Sequence, residues 1–250
     1  MRMITFVVTF ILSISGVAAA QEWIDYQNNQ DGFKVTMPAQ PTVSNITWTS
    51  EHGYPLPGHA YRLDRGAEHY LVTVVDYRPI EQLGLQRADQ CASRANICAG
   101  NDNTGPGFWK HDVRGGTIYA AHTFMQREGI KLTDLVWAQH DRVEGAELQL
   151  TNADQSRTYA FITMHDMRLY MAEATVPRNY PPATLFQTSV EFVDATGKPL
   201  AYQFIYDNTF HGMGLYPPPP LGGVPPGGAE RRGGAGVQGR GGRNGNAQQP

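Results

Sequence analysis

From Trp23 the chain reads mostly as strands, and in places apolar and polar residues alternate with a period of two, the mark of a half-buried strand. Trp23-Ile24-Asp25-Tyr26 passes through the polar turn Gln27 to Gly32 into Phe33-Lys34-Val35-Thr36-Met37, which Pro38 stops. Val43 to Thr49 alternates again, and Gly53, Pro55, Pro57 and Gly58 mark His52 to His59 as a loop. Ala60 to Asp64 and His69 to Tyr77 flank Arg65-Gly66-Ala67-Glu68, a hairpin. Thr117 to Gln126, Ile130 to Gln139, Ala146 to Leu150, Arg157 to Met164 and Leu169 to Val176 continue the strands, and Leu200 to Tyr206 is the last. Turns fall at Arg127-Glu128-Gly129, Asn152-Ala153-Asp154 and His165-Asp166, and Gly115-Gly116 reads as serving another.

Two segments have helical spacing instead. Pro79 opens Ile80 to Ala95, and Pro181-Pro182 precedes Ala183 to Val193, where Leu185, Phe186, Val190 and Val193 share a face. Strands joined by short turns are most simply antiparallel. The pattern therefore predicts an α+β fold: a twisted antiparallel sheet of about nine or ten strands with about two helices packed on one face.

Both ends depart from this pattern. Arg2, the apolar run Met3 to Leu12, and Gly16, Ala18, Ala19 and Ala20 before Gln21-Glu22 form a secretory signal with cleavage after Ala20. The alternative, an uncleaved anchor, is opposed by Ser13, Ser15 and Gly16, which dilute the apolar run. The first cysteine is Cys91, so a lipid anchor on a new N-terminal Cys is excluded. After signal removal no stretch is long and apolar enough to span a bilayer. The implied compartment is periplasmic or secreted, the folded body runs 21–211 as one domain, and 212–250 is a disordered tail of Pro, Gly and Arg.

Charge sharpens the division. The signal removes only Arg2 from a net −3; four Arg against Glu230 give the tail +3, which leaves about −7 on the body. An acidic body is a poor partner for nucleic acid, whose phosphates need a basic surface. The tail's Arg231-Arg232-Gly233 and Arg240-Gly241-Gly242-Arg243 resemble Arg-Gly segments of RNA-binding tails, but an exported chain meets no RNA. A flexible arm touching an envelope protein or an anionic envelope polymer is the better reading, and an inert linker ranks above it.

An oxidising compartment makes Cys91 and Cys98 a disulfide candidate. In one straight helix their Cα atoms would lie ~10.5 Å apart, beyond the ~7 Å a bridge allows. Either the helix ends before Cys98, with Asn96 and Gly100 reversing the chain, or the bridge does not form.

Chemistry is sparse. His111-Asp112, His140-Asp141 and His165-Asp166 repeat one dipeptide, in which a carboxylate could orient an imidazole. Two of the three fall where a strand meets a turn, a place that Asp favours for local hydrogen bonding. His69, His122 and His140 are the weak metal candidates, at strand positions that a sheet could bring together. No zinc spacing, no nucleophile elbow and no phosphate loop is present. No catalytic residue and no cofactor is assigned. Tyr54 and Trp109, beside loops, are the candidates for an exposed binding patch.

Two stretches resemble a known group. Gly32-Phe33-Lys34-Val35-Thr36-Met37-Pro38-Ala39-Gln40-Pro41, after Trp23 to Tyr26, is similar to the opening of many secreted bacterial proteins. Arg168-Leu169-Tyr170-Met171, Leu185 to Val190 and Val193-Asp194-Ala195-Thr196-Gly197 are similar to their close. Through these two ends of the body, with the middle unplaced, the shape resembles the PsbP-like α+β fold. That resemblance implies a binding or accessory module rather than an enzyme, with no functional residue carried over. The competing expectation is a hydrolase-like or metal-dependent enzyme built on a His/Asp cluster.

Overall fold

The computed structural model describes residues 23–90 and 109–206. The expected leader 1–20, the Cys91 and Cys98 pair and the expected tail 212–250 lie outside them. Seven strands make one antiparallel sheet in the order β3-β4-β5-β9-β8-β7-β6. These are β3 (Thr42–Thr49), β4 (Pro55–Arg65), β5 (Glu68–Asp76), β6 (Lys131–His140), β7 (Val143–Thr151), β8 (Arg157–His165) and β9 (Arg168–Val176). A smaller sheet, β1-β2-β10, joins β1 (Ile24–Asn28), β2 (Phe33–Met37) and β10 (Glu191–Phe192). The α+β expectation holds, with the antiparallel sheet at its centre.

Alternation along the strands builds two cores, one on each face. On one face Tyr61, Tyr70, Val72, Tyr159, Phe161, Tyr170 and Ala172 pack against Phe33, Val35 and Phe192 of the small sheet and Phe186 of the one-turn helix α3 (Thr184–Gln187). On the other, Leu148, Ala160, Ile162, Met164 and Met171 pack against helices α1 (Ile80–Asp89) and α2 (Trp109–Met125).

The second large helix is therefore not the expected one. The expected strand 117–126, rich in β-branched and aromatic side chains, belongs to α2 as far as Met125. Trp109, Val113, Gly116, Thr117, Ala120 and Phe124 are the helix's buried stripe, recurring at steps of three and four, and that longer-range pattern overrides local β propensity. Gly115-Gly116 is no turn; a Cβ on Gly116 would sit 2.7 Å from Met164 Cε, so the missing side chain lets α2 settle on the sheet. Residues 183–193 give only one helical turn before β10. The last expected strand reduces to bridges, with Tyr206 beside Val143.

The expected loop 52–59 also shortens, because β4 begins at Pro55. Pro55 and Pro57 pair only with Thr49 and Thr47 of β3, while pairing to β5 starts at Gly58. A strand flanked on one side tolerates residues that cannot donate. Gly58 itself is required by close approach: a Cβ there would lie 2.4 Å from the Val74 carbonyl oxygen.

Two of the His-Asp dipeptides are turn devices. Asp141 and Arg142 have φ of 48° and 65°, and Asp166 and Met167 have 48° and 57°. Two successive residues at positive φ between paired strands make type I′ turns, where Asp is favoured at the first position. These turns fix the β6–β7 and β8–β9 registers, His140↔Val143 and His165↔Arg168.

Candidate functional site: a polar cleft at the β1–β2 turn

The β1–β2 turn is pinned to the large sheet. The Asp31 amide donates to Asn28 Oδ1 (2.9 Å), which shapes the turn, and Tyr170 donates its hydroxyl to the Asp31 carbonyl (2.7 Å). Gly32 follows at φ 70°, with the Val193 carbonyl 3.3 Å from where a Cβ would stand. The Asp31 carboxylate is thereby held against β4, its side chain 10% exposed. Its Oδ2 receives the Tyr61 hydroxyl at 2.5 Å and lies 2.7 Å from His59 Nδ1. An ionised carboxylate only accepts, so the His59 Nδ1 donates in this contact. Burial, then the hydrogen bond to Asp31, pushes the Tyr61 hydroxyl well above the usual tyrosine range.

A cavity of about 270 Å³ opens beside this cluster. Gln30 and Asp31 line it from the turn, Asn45 and Ile46 from β3, His59 from β4, and Asp76, Arg78 and Arg168 from the β5 and β9 ends. Arg78 grips Asp76 with two hydrogen bonds, Nε to Oδ1 and Nη2 to Oδ2, both 2.7 Å. Burial raises the Asp76 carboxyl, but the Arg78 hydrogen bonds and the nearby Arg168 charge outweigh it and hold the group below its ordinary value. Arg168, paired with Asp76 in the sheet register, reaches Asp166 Oδ2 (3.1 Å) and the Gln30 carbonyl (3.2 Å). The result is a wall with two guanidinium groups, one imidazole and two amide side chains. It can bind an anionic or hydrogen-bonding group, and it can hold His59 ready to accept a proton. No Ser, Thr or Cys lines it among the described residues.

The expected candidates fall elsewhere. Tyr54 and Trp109 are 1% and 6% exposed, so neither offers a surface patch. Tyr54 lies beneath Arg87 of α1, whose guanidinium stands 3.8 Å from the ring centre. Trp109 wedges into α1, where its ring lies 3.0 Å from the position a Cβ on Gly84 would take. Both follow from helices closing over residues that sit beside loops in sequence. His69, His122 and His140 are not brought together. His69 Nδ1 meets Asp64 (2.7 Å), His122 faces Gln126 (3.1 Å), and His140 stands edge-on to Phe161 with Glu147 2.7 Å from its Nε2. Among the described residues no group of three or more His, Cys, Asp and Glu is placed to hold a metal ion.

The third dipeptide, His111-Asp112, behaves differently. Asp112, fully buried in the first turn of α2, accepts from the His52 backbone (3.0 Å) and faces His52 Nδ1 (2.9 Å). Its partner is thus a histidine 60 residues away, not its neighbour. His165 is a core residue, stacked on Phe192 at 4.1 Å and hydrogen-bonded to Tyr202 (2.5 Å). Asp31, His59, Tyr61 and Arg168 gave no sequence signal beyond the Asn28-x-x-Asp31 turn, because bonds that hold them cross 28 to 139 residues; Arg78 bonds Asp76 two residues away and joins them only through the fold.

No family model matches the chain, and no curated protein does. Among solved structures the chain is similar to the solution structure of cyanobacterial PsbP (CyanoP) from Synechocystis sp. PCC 6803. The match is 11% identical with a TM-score of 0.34, covering 67% of this chain and 88% of that one. No helix among the described residues is long and apolar enough to cross a membrane.

Proposed function

We propose that this chain is an exported binding or accessory module of the cell envelope, and that the β1–β2 cleft receives an anionic group of an envelope polymer. The observation that carries the reading is the convergence of Arg78, Arg168 and His59 on one cavity of a body whose net charge is about −7. The two carboxylates present are already engaged, Asp76 by Arg78 and Asp31 by His59 and Tyr61. A general negative field repels anionic polymers, so attraction confined to one cleft confers orientation and selectivity. A cavity of about 270 Å³ suits a single sugar-sized unit, at the small end of ligand pockets.

Calorimetry of the chain from Gln21 on with carboxylated envelope saccharides tests this. Binding that weakens about tenfold in Arg78→Gln, the scale of one charge-assisted hydrogen bond, supports it. Binding indifferent to Arg78→Gln, or none to any anionic envelope polymer, overturns it.

A second reading rests on the His59–Asp31 pair, which matches the base-and-orienter half of a hydrolytic triad with water as the nucleophile. Release of fragments from labelled polymer, abolished in His59→Gln, would favour that enzyme; binding without release favours the module.

A further inference from the structure

The last strand of the large sheet, β6, has none of its ten residues buried. Leu132, Leu135, Val136 and Trp137 are 40, 45, 43 and 55% exposed. Leu135 and Trp137 oppose Leu148 and Ala146 of β7, which puts them on the helix face. Val136 opposes Glu147 and lies on the other. Such a strand has apolar side chains above and below and a row of peptide groups with no strand beside them among the described residues. Natural edges carry charge or proline to prevent pairing. From Asp134 to His140 this one carries a single acid and no proline.

We propose that β6 pairs antiparallel with β6 of a second copy of this chain, centred on Val136, joining the two large sheets across a two-fold axis. The hydrogen-bond phase selects this register. In the two-residue turn after β6, His140 and Val143 exchange their peptide hydrogen bonds. His140, Ala138 and Val136 therefore address β7, while Gln139, Trp137 and Leu135 address the open side. Two such edges pair only with outward residues facing outward residues. Centred on Val136, Leu135 of each copy faces Trp137 of the other and Val136 faces itself. Centring on Trp137 would set Leu135 against Gln139, and centring on Leu135 would set Trp137 against the irregularity at Thr133.

Charge agrees with the same register. Carried past the extra residue at Thr133, the pairing brings Lys131 of each copy to the His140–Asp141 turn of the other. Asp141 is exposed there; burial and then the negative Glu191 push its carboxyl up, so a cation from outside stabilises its charged form. The interface is self-complementary, as a two-fold axis requires.

Sedimentation equilibrium of the chain from Gln21 on, across the micromolar range, provides the test. The expected result is a monomer–dimer equilibrium whose dissociation constant rises about a hundredfold in Trp137→Lys, which removes a central aromatic anchor from both halves of the interface. Lys131→Glu weakens the dimer, and adding Asp141→Asn in the same chain restores it. Val136→Cys cross-links to a dimer on mild oxidation, while Gln139→Cys and the parent chain do not. A chain that stays monomeric throughout overturns the proposal, as does a dimer indifferent to Trp137→Lys. So does a dimer that forms only when residues 207–250 are removed, since the tail would then be the strand's occupant.

Discussion

The two edges of the seven-stranded sheet occupy equivalent positions and have opposite chemistry. β3 is edged with Thr42, Ser44, Asn45, Thr47 and Thr49, with Val43 as its one exposed large apolar side chain; its Ile46 and Trp48 pack inward, and Asn45 and Ile46 reach the cleft. β6 keeps Leu135, Val136 and Trp137 in water on both faces. Backbone position therefore does not decide what an edge is for. A polar edge beside a cavity is finished by solvent and ligand, whereas an apolar one is finished by another strand. The strands just inside, β4 and β7, are built alike. Each carries a glycine whose Cβ would fall 2.4 Å from a carbonyl oxygen of the next strand, Gly58 against Val74 and Gly145 against Ile162.

The largest expected effect comes from pH and belongs to the elements inside the β6 edge. Burial raises the hydroxyls of Tyr61, Tyr70, Tyr77, Tyr170 and Tyr202, and none of these lies on β6. A folded pKa above the unfolded one gives stability that is complete below the unfolded value, ~10 for tyrosine. It is lost as pH rises toward the folded value. Ultraviolet difference absorbance should show these tyrosines ionising only as circular dichroism reports unfolding. Smooth ionisation near the ordinary value, with the fold intact, would break this side of the comparison.

Next come the inner strands. Gly58→Val and Gly145→Val should each cost about 3 kcal/mol in urea titrations, the scale of overpacking against a fixed backbone. Equal losses would sharpen the likeness of β4 and β7. Asp31→Ala should cost about 2 kcal/mol by leaving the Tyr61 hydroxyl unpaired. Smallest of all, Leu135→Ser should change monomer stability by less than about 0.5 kcal/mol, as for an exposed position. A core-sized loss there would mean that β6 is covered within its own chain.

Strand periodicity and β-favouring runs made most of the sheet legible, since the alternation at Phe33 to Met37 and the β-branched and aromatic residues of Arg157 to Met164 are local signals. The α2 helix was missed because Thr117, Ile118 and Tyr119 favour strands locally, while its buried stripe starts at Trp109, well outside that window. The cleft was illegible for a different reason. Asp31 meets His59 and Tyr61 across about 30 residues, and Arg168 meets Gln30 across 138, so no spacing could announce them. The adjacent His-Asp dipeptides were the conspicuous pattern, yet two straddle a strand end and its turn, and the third lies in α2, where successive residues do not face each other.

The strand order also sets how the chain must assemble. β3-β4-β5 and β6-β7-β8-β9 are each runs of neighbouring hairpins, and a single seam, β5 against β9, joins them. Its pairs run from Asp76↔Arg168 to His69↔Thr175, across 92 to 106 residues. Local hairpins close on microsecond scales, whereas a loop this long meets a larger entropic barrier. Closing the seam is then the slow step in building the large sheet, and Asp76 and Arg168 at its end, which also line the cleft, come together in that same event.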